Sequence, residues 1–299
     1  MRSISSKRRA PRGEVLKRLF ISAASLAVLG AVGWVAFLPD PNALRSIVET
    51  RCLGNLAGPP VEMPPCVKVD RALEYVILKD RKGDRHYLLL PTRQITGIES
   101  EELLANGAPN YFELAWENRG LLSKGLTQPL ADDEVSLAIN SEVGRTQNQL
   151  HIHISCMKQN VREKIVAAKS DISETWQPFP GGLEGHDYWA RRVTQAQFKE
   201  VGAFTLLAFG TPMAASRMDR FSLAMTEVGG DVVLLATERD LFDLNLASAE
   251  ELQDHECKGS PAKPASCLSD YRWLSCQGHM RSWGALRSFR ESRRAQGSR

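Results

Sequence analysis

The sequence predicts an α+β domain built on antiparallel strands and preceded by one membrane-spanning helix. Three observations carry this. Two β-rich runs, YVILKD and HYLLLP, flank the turn RKGD, and a second such pair sits in FSLAMTEVGGDVVLLATERDLFDLN. Between them, NYFELAWENRGLLSKGL (110–126) and VREKIVAAK place apolar residues at helical spacing. At the start, LFISAASLAVLGAVGWVAFL (19–38) is twenty residues without a formal charge.

The uncharged run comes first in the chain. At about 1.5 Å per residue it spans about 30 Å, the thickness of a bilayer's hydrocarbon core. A cleaved signal peptide is the competing reading, but its apolar region is usually shorter, and FLPDP is a poor cleavage site. Residues 2–18 hold seven Lys or Arg against Glu14 alone, so the positive-inside rule leaves a basic cytoplasmic N-terminus, 1–18. Everything after residue 38 then faces outward, which for a bacterial inner-membrane protein means the periplasm. Basic residues otherwise gather at 281–299, and the middle of the chain carries no nucleic-acid footprint.

A short helical stretch near ALRSIVETRCL follows the anchor, then a Pro-rich loop bracketed by Cys52 and Cys66. Six cysteines in an exported domain suggest disulfides. Cys52 with Cys66 is the favoured pair. Cys257, Cys267 and Cys276 are candidates for another, and Cys156 reads as a small buried hydrophobe. After the first hairpin and the 110–126 helix, VSLAIN (135–140) is a strand, SEVGRTQ a turn and QLHIHISC a strand, before the Gly-rich loop FPGGLEGHDY. Sliding the chain 146 positions sets Gly83 on Gly229, Leu88 and Leu89 on Leu234 and Leu235, and Arg93 on Arg239. This is a weak internal repeat whose second half lacks the histidines. Chance likeness of two hairpins explains it equally well. From residue 258 the composition changes abruptly, so 39–257 is the folded domain and 258–299 an extension.

On a strand, His151, His153 and Ser155 share one face while Leu150, Ile152, Ile154 and Cys156 share the other. An ordinary strand with a polar outer face would show this pattern. A zinc site could use the two histidines, but no CxxC or HExxH motif supplies a third ligand. Nucleophilic catalysis by one imidazole steadied by its neighbour is the third reading.

Upstream residues discriminate. NSEVGRTQNQLHIHIS has Asn140 ending a strand, Gln147 seven residues later and His151 four after that, and it resembles the histidine triad superfamily of nucleotide hydrolases and transferases. NSEVGRTQNQLHIHISC, YVILKD, YLLLPT and GGLEGHDYWARRVT, in that combination, further resemble the bacterial CDP-diacylglycerol pyrophosphatases. That resemblance implies a histidine-triad-like α+β fold; if the internal repeat is real, its second half is a pseudo-duplicate and a monomer imitates a dimer. It implies hydrolysis of CDP-diacylglycerol to CMP and phosphatidate, without metal or cofactor, at a membrane. His153 matches the nucleophile, and His151 would steady it. Gln147, Asn140 and Ser155 would bind phosphate, with Ser155 standing where the eponymous enzymes have a third histidine. His86 and Arg93 would lie at the site periphery, and His186 in a Gly-rich loop near a lipid mouth. Transfer of CMP to an acceptor other than water, or lipid-nucleotide binding without turnover, are the alternatives.

Overall fold

The computed structural model describes residues 40–54, 64–211 and 214–259. The predicted anchor 19–38, the basic segment 1–18, Cys267, Cys276 and the extension beyond residue 259 lie outside them. No helix among the described residues is long and apolar enough to cross a membrane.

The chain opens with α1 (Ala43–Ile47), which runs into a π-helical turn, Val48–Cys52. Strands β1 (Cys66–Asp70), β2 (Tyr75–Lys79) and β3 (Tyr87–Pro91) come next. The stretch 110–126, predicted as one helix, divides. Helix α2 (Tyr111–Glu117), capped by Asn110 Oδ1 accepting from Glu113 N at 3.2 Å, ends at Asn118 before a 3-10 turn, Arg119–Ser123. The side chain of Asn118 bonds back to Leu114 O, competing with the helical pattern where Gly120 follows. Strands β4 (Val135–Ile139) and β5 (Ile152–Met157) and helix α3 (Gln159–Ala167) stand where expected. A short β6 (Gln177–Pro178) and β7 (Trp189–Val193) follow. Then come α4 (Gln195–Val201), with a Thr194/Gln197 capping box, and α5 (Ala203–Gly210). Strands β8 (Phe221–Val228), β9 (Asp231–Glu238) and the short β10 (Gln253–Asp254) complete the fold.

All described strands join one antiparallel sheet in the order β1-β2-β3-β5-β4-β8-β9-β7-β6, with β10 added on β5. Both predicted hairpins exist, β2 against β3 and β8 against β9. The histidine strand lies at the middle, paired with β3 on one side and β4 on the other.

The two faces are covered differently. On one, Leu150, Ile152, Ile154 and Cys156 join Tyr111, Phe112, Trp116, Phe198 and Phe204 in the largest apolar cluster. On the other, two smaller clusters form, one around Val48, Val76, Leu88 and Leu90, the other around Val161, Ile165, Ala138, Ala224 and Leu235. His153 sits between them, since Leu88 and Ala138 are its cross-strand partners. The predicted inside-out alternation of β5 therefore holds, but its polar face meets a covered stripe and not solvent.

Two disulfides are present among the described residues. Cys52–Cys66 is the predicted pair. Cys156 is corrected: it is no free buried hydrophobe but bonds Cys257 across 101 residues of sequence. Residue spacing has no means of showing that β10 returns beside β5.

Candidate active site

Four imidazoles converge on the central stripe. His153 comes from β5 and His151 from the residue just before it, His86 from the residue just before β3, and His255 from the segment after β10. Each of the first three is at least nine-tenths buried, with 7%, 5% and 1% exposure.

Their hydrogen bonds fix the ring tautomers. His86 Nδ1 is 3.1 Å from Lys82 O, a carbonyl that only accepts, so Nδ1 carries the proton and His86 Nε2 carries the lone pair. His86 Nε2 lies 2.8 Å from His153 Nδ1, which must then donate. His153 is left with its lone pair on Nε2, and that atom is buried without a hydrogen-bond partner. His151 Nδ1 likewise donates to Gln149 O at 2.6 Å. The His151 ring stands edge-on to His153, centroids 5.0 Å apart, with no hydrogen bond between them. The ring hydrogen-bonded to His153 is therefore His86, next to the neighbouring strand, and not the adjacent His151.

The lone pair of His153 Nε2 faces Glu250 Oε2 at 3.5 Å. Glu250 belongs to the 3-10 turn Ala249–Leu252. Asn140 holds it there: Asn140 Nδ2 donates to Glu250 Oε2 at 3.1 Å, and Asn140 Oδ1 accepts from Glu250 N and Ser248 Oγ, each at 3.2 Å. The second carboxylate oxygen accepts a hydrogen bond from His255 Nε2 at 2.9 Å. His255 stacks on His86 with centroids 3.7 Å apart, and its Nδ1 contacts Ser155 Oγ at 3.0 Å. Ser155, fully buried, also reaches Arg85 O at 3.0 Å.

Burial dominates the electrostatics. It pushes His153 well below the ordinary imidazole range, with Glu250 opposing, and pushes His151 down as well. His86 falls to about 4, through burial and then through the nearby charge of His255. Burial would raise the Glu250 carboxyl, but attraction to His153 whenever that ring is protonated, and the hydrogen bonds from His255 and Asn140, outweigh it and keep the group ionised. At neutral pH the site thus presents a neutral His153 beside a carboxylate.

The predicted residues divide into three groups. His151, His153, His86, Asn140 and Ser155 are brought together, with Asn140 and Ser155 spending their polar atoms on Glu250 and His255. Gln147 is placed elsewhere. It accepts from Leu44 N at 2.9 Å and donates to Asp40 O at 2.9 Å, tying down the incoming chain. Arg93 points to Glu102, 3.7 Å away. Its carbonyl, with that of Pro91, accepts from Gln149 Nε2. His186 bonds Glu251, the neighbour of Glu250 that faces away from the histidines, at 3.0 Å. Sequence reasoning missed Glu250 and His255. SAEELQDHEC has no spacing motif, and a histidine two residues before a cysteine is the one signal that could have pointed to it.

The objection that a metal lacked a third ligand is also revised. His86, His153 and Glu250 each offer a ligand atom, all within 4.8 Å of one another. A cation there would have to displace the His86–His153 hydrogen bond.

The turn after β4 is pinned by a bidentate pair, Arg145 to Glu99 at 2.7 Å on both contacts. It also packs backbone to backbone on the segment before Glu250. Ser141 N donates to Ala247 O at 3.0 Å, and a Cβ at Gly144 would stand 2.7 Å from that same oxygen.

Comparison with known proteins places this architecture. The chain matches the family model of CDP-diacylglycerol pyrophosphatase over residues 39–261. It is 42% identical over 250 residues to the CDP-diacylglycerol pyrophosphatase of Yersinia pestis, covering 83% of this chain and 96% of the relative. Among solved structures, a Bacillus cereus protein of the DUF4931 family is similar at 12% identity and a TM-score of 0.39, over 58% of this chain and 85% of that one. Yeast Ap4A phosphorylase in complex with AMP is similar at 15% identity and a TM-score of 0.38, over 67% of this chain and 70% of that one. With its family model spanning every element of the sheet and its site, this chain belongs to the CDP-diacylglycerol pyrophosphatase family.

Proposed function

We propose that the chain hydrolyses the phosphoanhydride of CDP-diacylglycerol to CMP and phosphatidate, with His153 Nε2 as the nucleophile. The observation that carries the nucleophile is the tautomer relay from Lys82 O through His86 to His153, which leaves one buried, unbonded lone pair. In the first step Nε2 attacks the cytidylyl phosphorus. The N–P bond forms, the P–O bond to the lipid phosphate breaks, and phosphatidate leaves with the electron pair. The leaving group is a phosphate monoester with a second pKa near 6, so it departs without a strong general acid. The imidazolium charge that develops on His153 is met by His86 accepting from Nδ1 and by the carboxylate of Glu250. In the second step water attacks phosphorus and gives a proton to the His151 Nε2 lone pair, the N–P bond breaks with its electron pair returning to His153 Nε2, and CMP is released.

Asn140 and Ser155 act as positioning residues, the first through Glu250 and the second through His255. His151 stands on the substrate side of the strand, where its Nε2 lone pair is available to a phosphate-bound proton or to water. The metal-free route is favoured because the trio His86, His153 and Glu250 is already engaged in its own bonding. The fold is taken as histidine-triad-like, its second hairpin a pseudo-duplicate of the first within a monomer. The domain is taken to be held at the inner membrane by residues 19–38, facing the periplasm. Confinement beside the lipid raises its effective concentration.

Purified protein incubated with CDP-diacylglycerol in detergent and chelator should yield CMP and phosphatidate. Rapid quench with label in the cytidylyl phosphate should trap an acid-labile adduct on His153. Turnover without an adduct would remove the covalent route, and turnover abolished by chelator and restored by zinc would assign the trio to a cation.

A further inference from the structure

The loop after β9 is closed into a short, rigid finger. Asp240 and Asn245 exchange backbone hydrogen bonds at 3.0 and 2.8 Å, Asp240 Oδ1 accepts from Phe242 N at 2.9 Å, and buried Asn245 donates to Thr237 Oγ1 at 2.8 Å. This framework holds apolar side chains out. Leu241 is 62% exposed, Phe242 100% and Leu244 83%. Leu244 adopts a φ of 55°, a conformation in which glycine or asparagine is ordinarily found. Scattered exposed leucines need no explanation, but several on one braced loop do.

The finger's neighbours indicate what covers it. Its C-terminal end, Leu246 and Ala247, is bonded to Ser141, and so to the turn 141–148, whose Val143 is 45% exposed. The other end of that turn holds the chain where it enters the structure: Gln147 donates to Asp40 O at 2.9 Å, and Asn148 N to Pro41 O at 2.6 Å. Residue 40 lies two positions beyond the end of the uncharged run 19–38. The point of entry, the apolar finger and the site residue Asn140 therefore share one end of the molecule.

We infer that the finger 240–246 is a second membrane contact, seated in the headgroup layer of the bilayer beside the anchor and turning the catalytic stripe toward its lipid substrate. Asp243 near the tip limits the depth. Of the three arginines lining the cavity of about 740 Å³ behind the loop, Arg217 and Arg220 pair with Glu238 at 3.5 and 3.0 Å, which leaves Arg239 to meet a lipid phosphate. The inference rests on the lipid-nucleotide reading and on 19–38 as the anchor.

The test uses the full chain reconstituted in mixed phosphatidylcholine and phosphatidylglycerol vesicles. In Phe242→Ser/Leu244→Ser, turnover of CDP-diacylglycerol in the vesicles should fall about tenfold, while turnover of a dispersed short-chain analogue is unchanged. Phe242→Leu should restore the vesicle rate. In a Phe242→Trp protein, brominated phospholipid should quench more fluorescence than in the parent. Equal loss on both substrates, no loss on either, or absence of extra quenching would overturn the inference. Extra quenching in Phe242→Trp together with a parent that turns over neither substrate would instead count against the catalytic reading.

Discussion

In the proposed mechanism, the single hydrogen bond between His86 and His153 decides which nitrogen attacks. His153→Ala is expected to lower kcat by roughly three orders of magnitude or more, measured with detergent-dispersed substrate. His86→Ala should cost less than that, because a free ring samples both tautomers, and should abolish preference for attack through Nε2 in the quenched adduct. Ser155→Ala should stay within about tenfold of the parent, the cost of one positioning hydrogen bond acting through His255. A loss as complete as that of His153→Ala would mean that Ser155 touches substrate. His151 and His153 were legible because an HxH repeat on an alternating strand puts two rings on one face. Gln147 was misleading for a physical reason: spacing from Asn140 says how far along the turn it lies, not that its amide would be claimed by Asp40 and Leu44.

At the level of elements, the site is assembled from segments that the chain brings back from far away. Strand β5 supplies His153, the approach to β3 supplies His86, and β10 with its flanks supplies Glu250 and His255. The hairpins and central strands were readable because each is a local pattern of alternation and turn residues. β10 was not, since two residues paired by a crossover leave no periodicity. The Cys156–Cys257 disulfide holds this returning segment to the histidine strand, two residues from His255. Opening it by Cys257→Ser should lower stability by about 4–5 kcal/mol, against about 3 for Cys52→Ser, as expected from the loop lengths. Denaturant titration would measure both. Only Cys257→Ser should also lower kcat under conditions where the protein stays folded, because only that cross-link borders the site.

For the molecule as a whole, burying neutral imidazoles ties stability to pH. His86 is lowered from 6.5 in the unfolded chain to about 4 in the fold, so the unfolded state binds more protons between those values. Stability is therefore complete above about pH 6.5 and declines as pH falls toward 4. The depressed Glu250 carboxyl adds a further loss, but only below its unfolded value of 4.5. Thermal unfolding across this range should show the decline, and His86→Asn should flatten the part between pH 6 and 5. An unchanged slope would show that His86 is not buried in neutral form. Within this architecture the turn 141–148 is where the incoming chain, the support of Glu250 and the exposed finger all touch, and at Gly144 they touch with nothing between two backbones. A single added methyl there would act as a wedge. Gly144→Ala should thus slow turnover while every reacting group remains present, by splaying Asn140 from Glu250, and a variant as fast as its parent would show that these strands yield sideways at no catalytic cost.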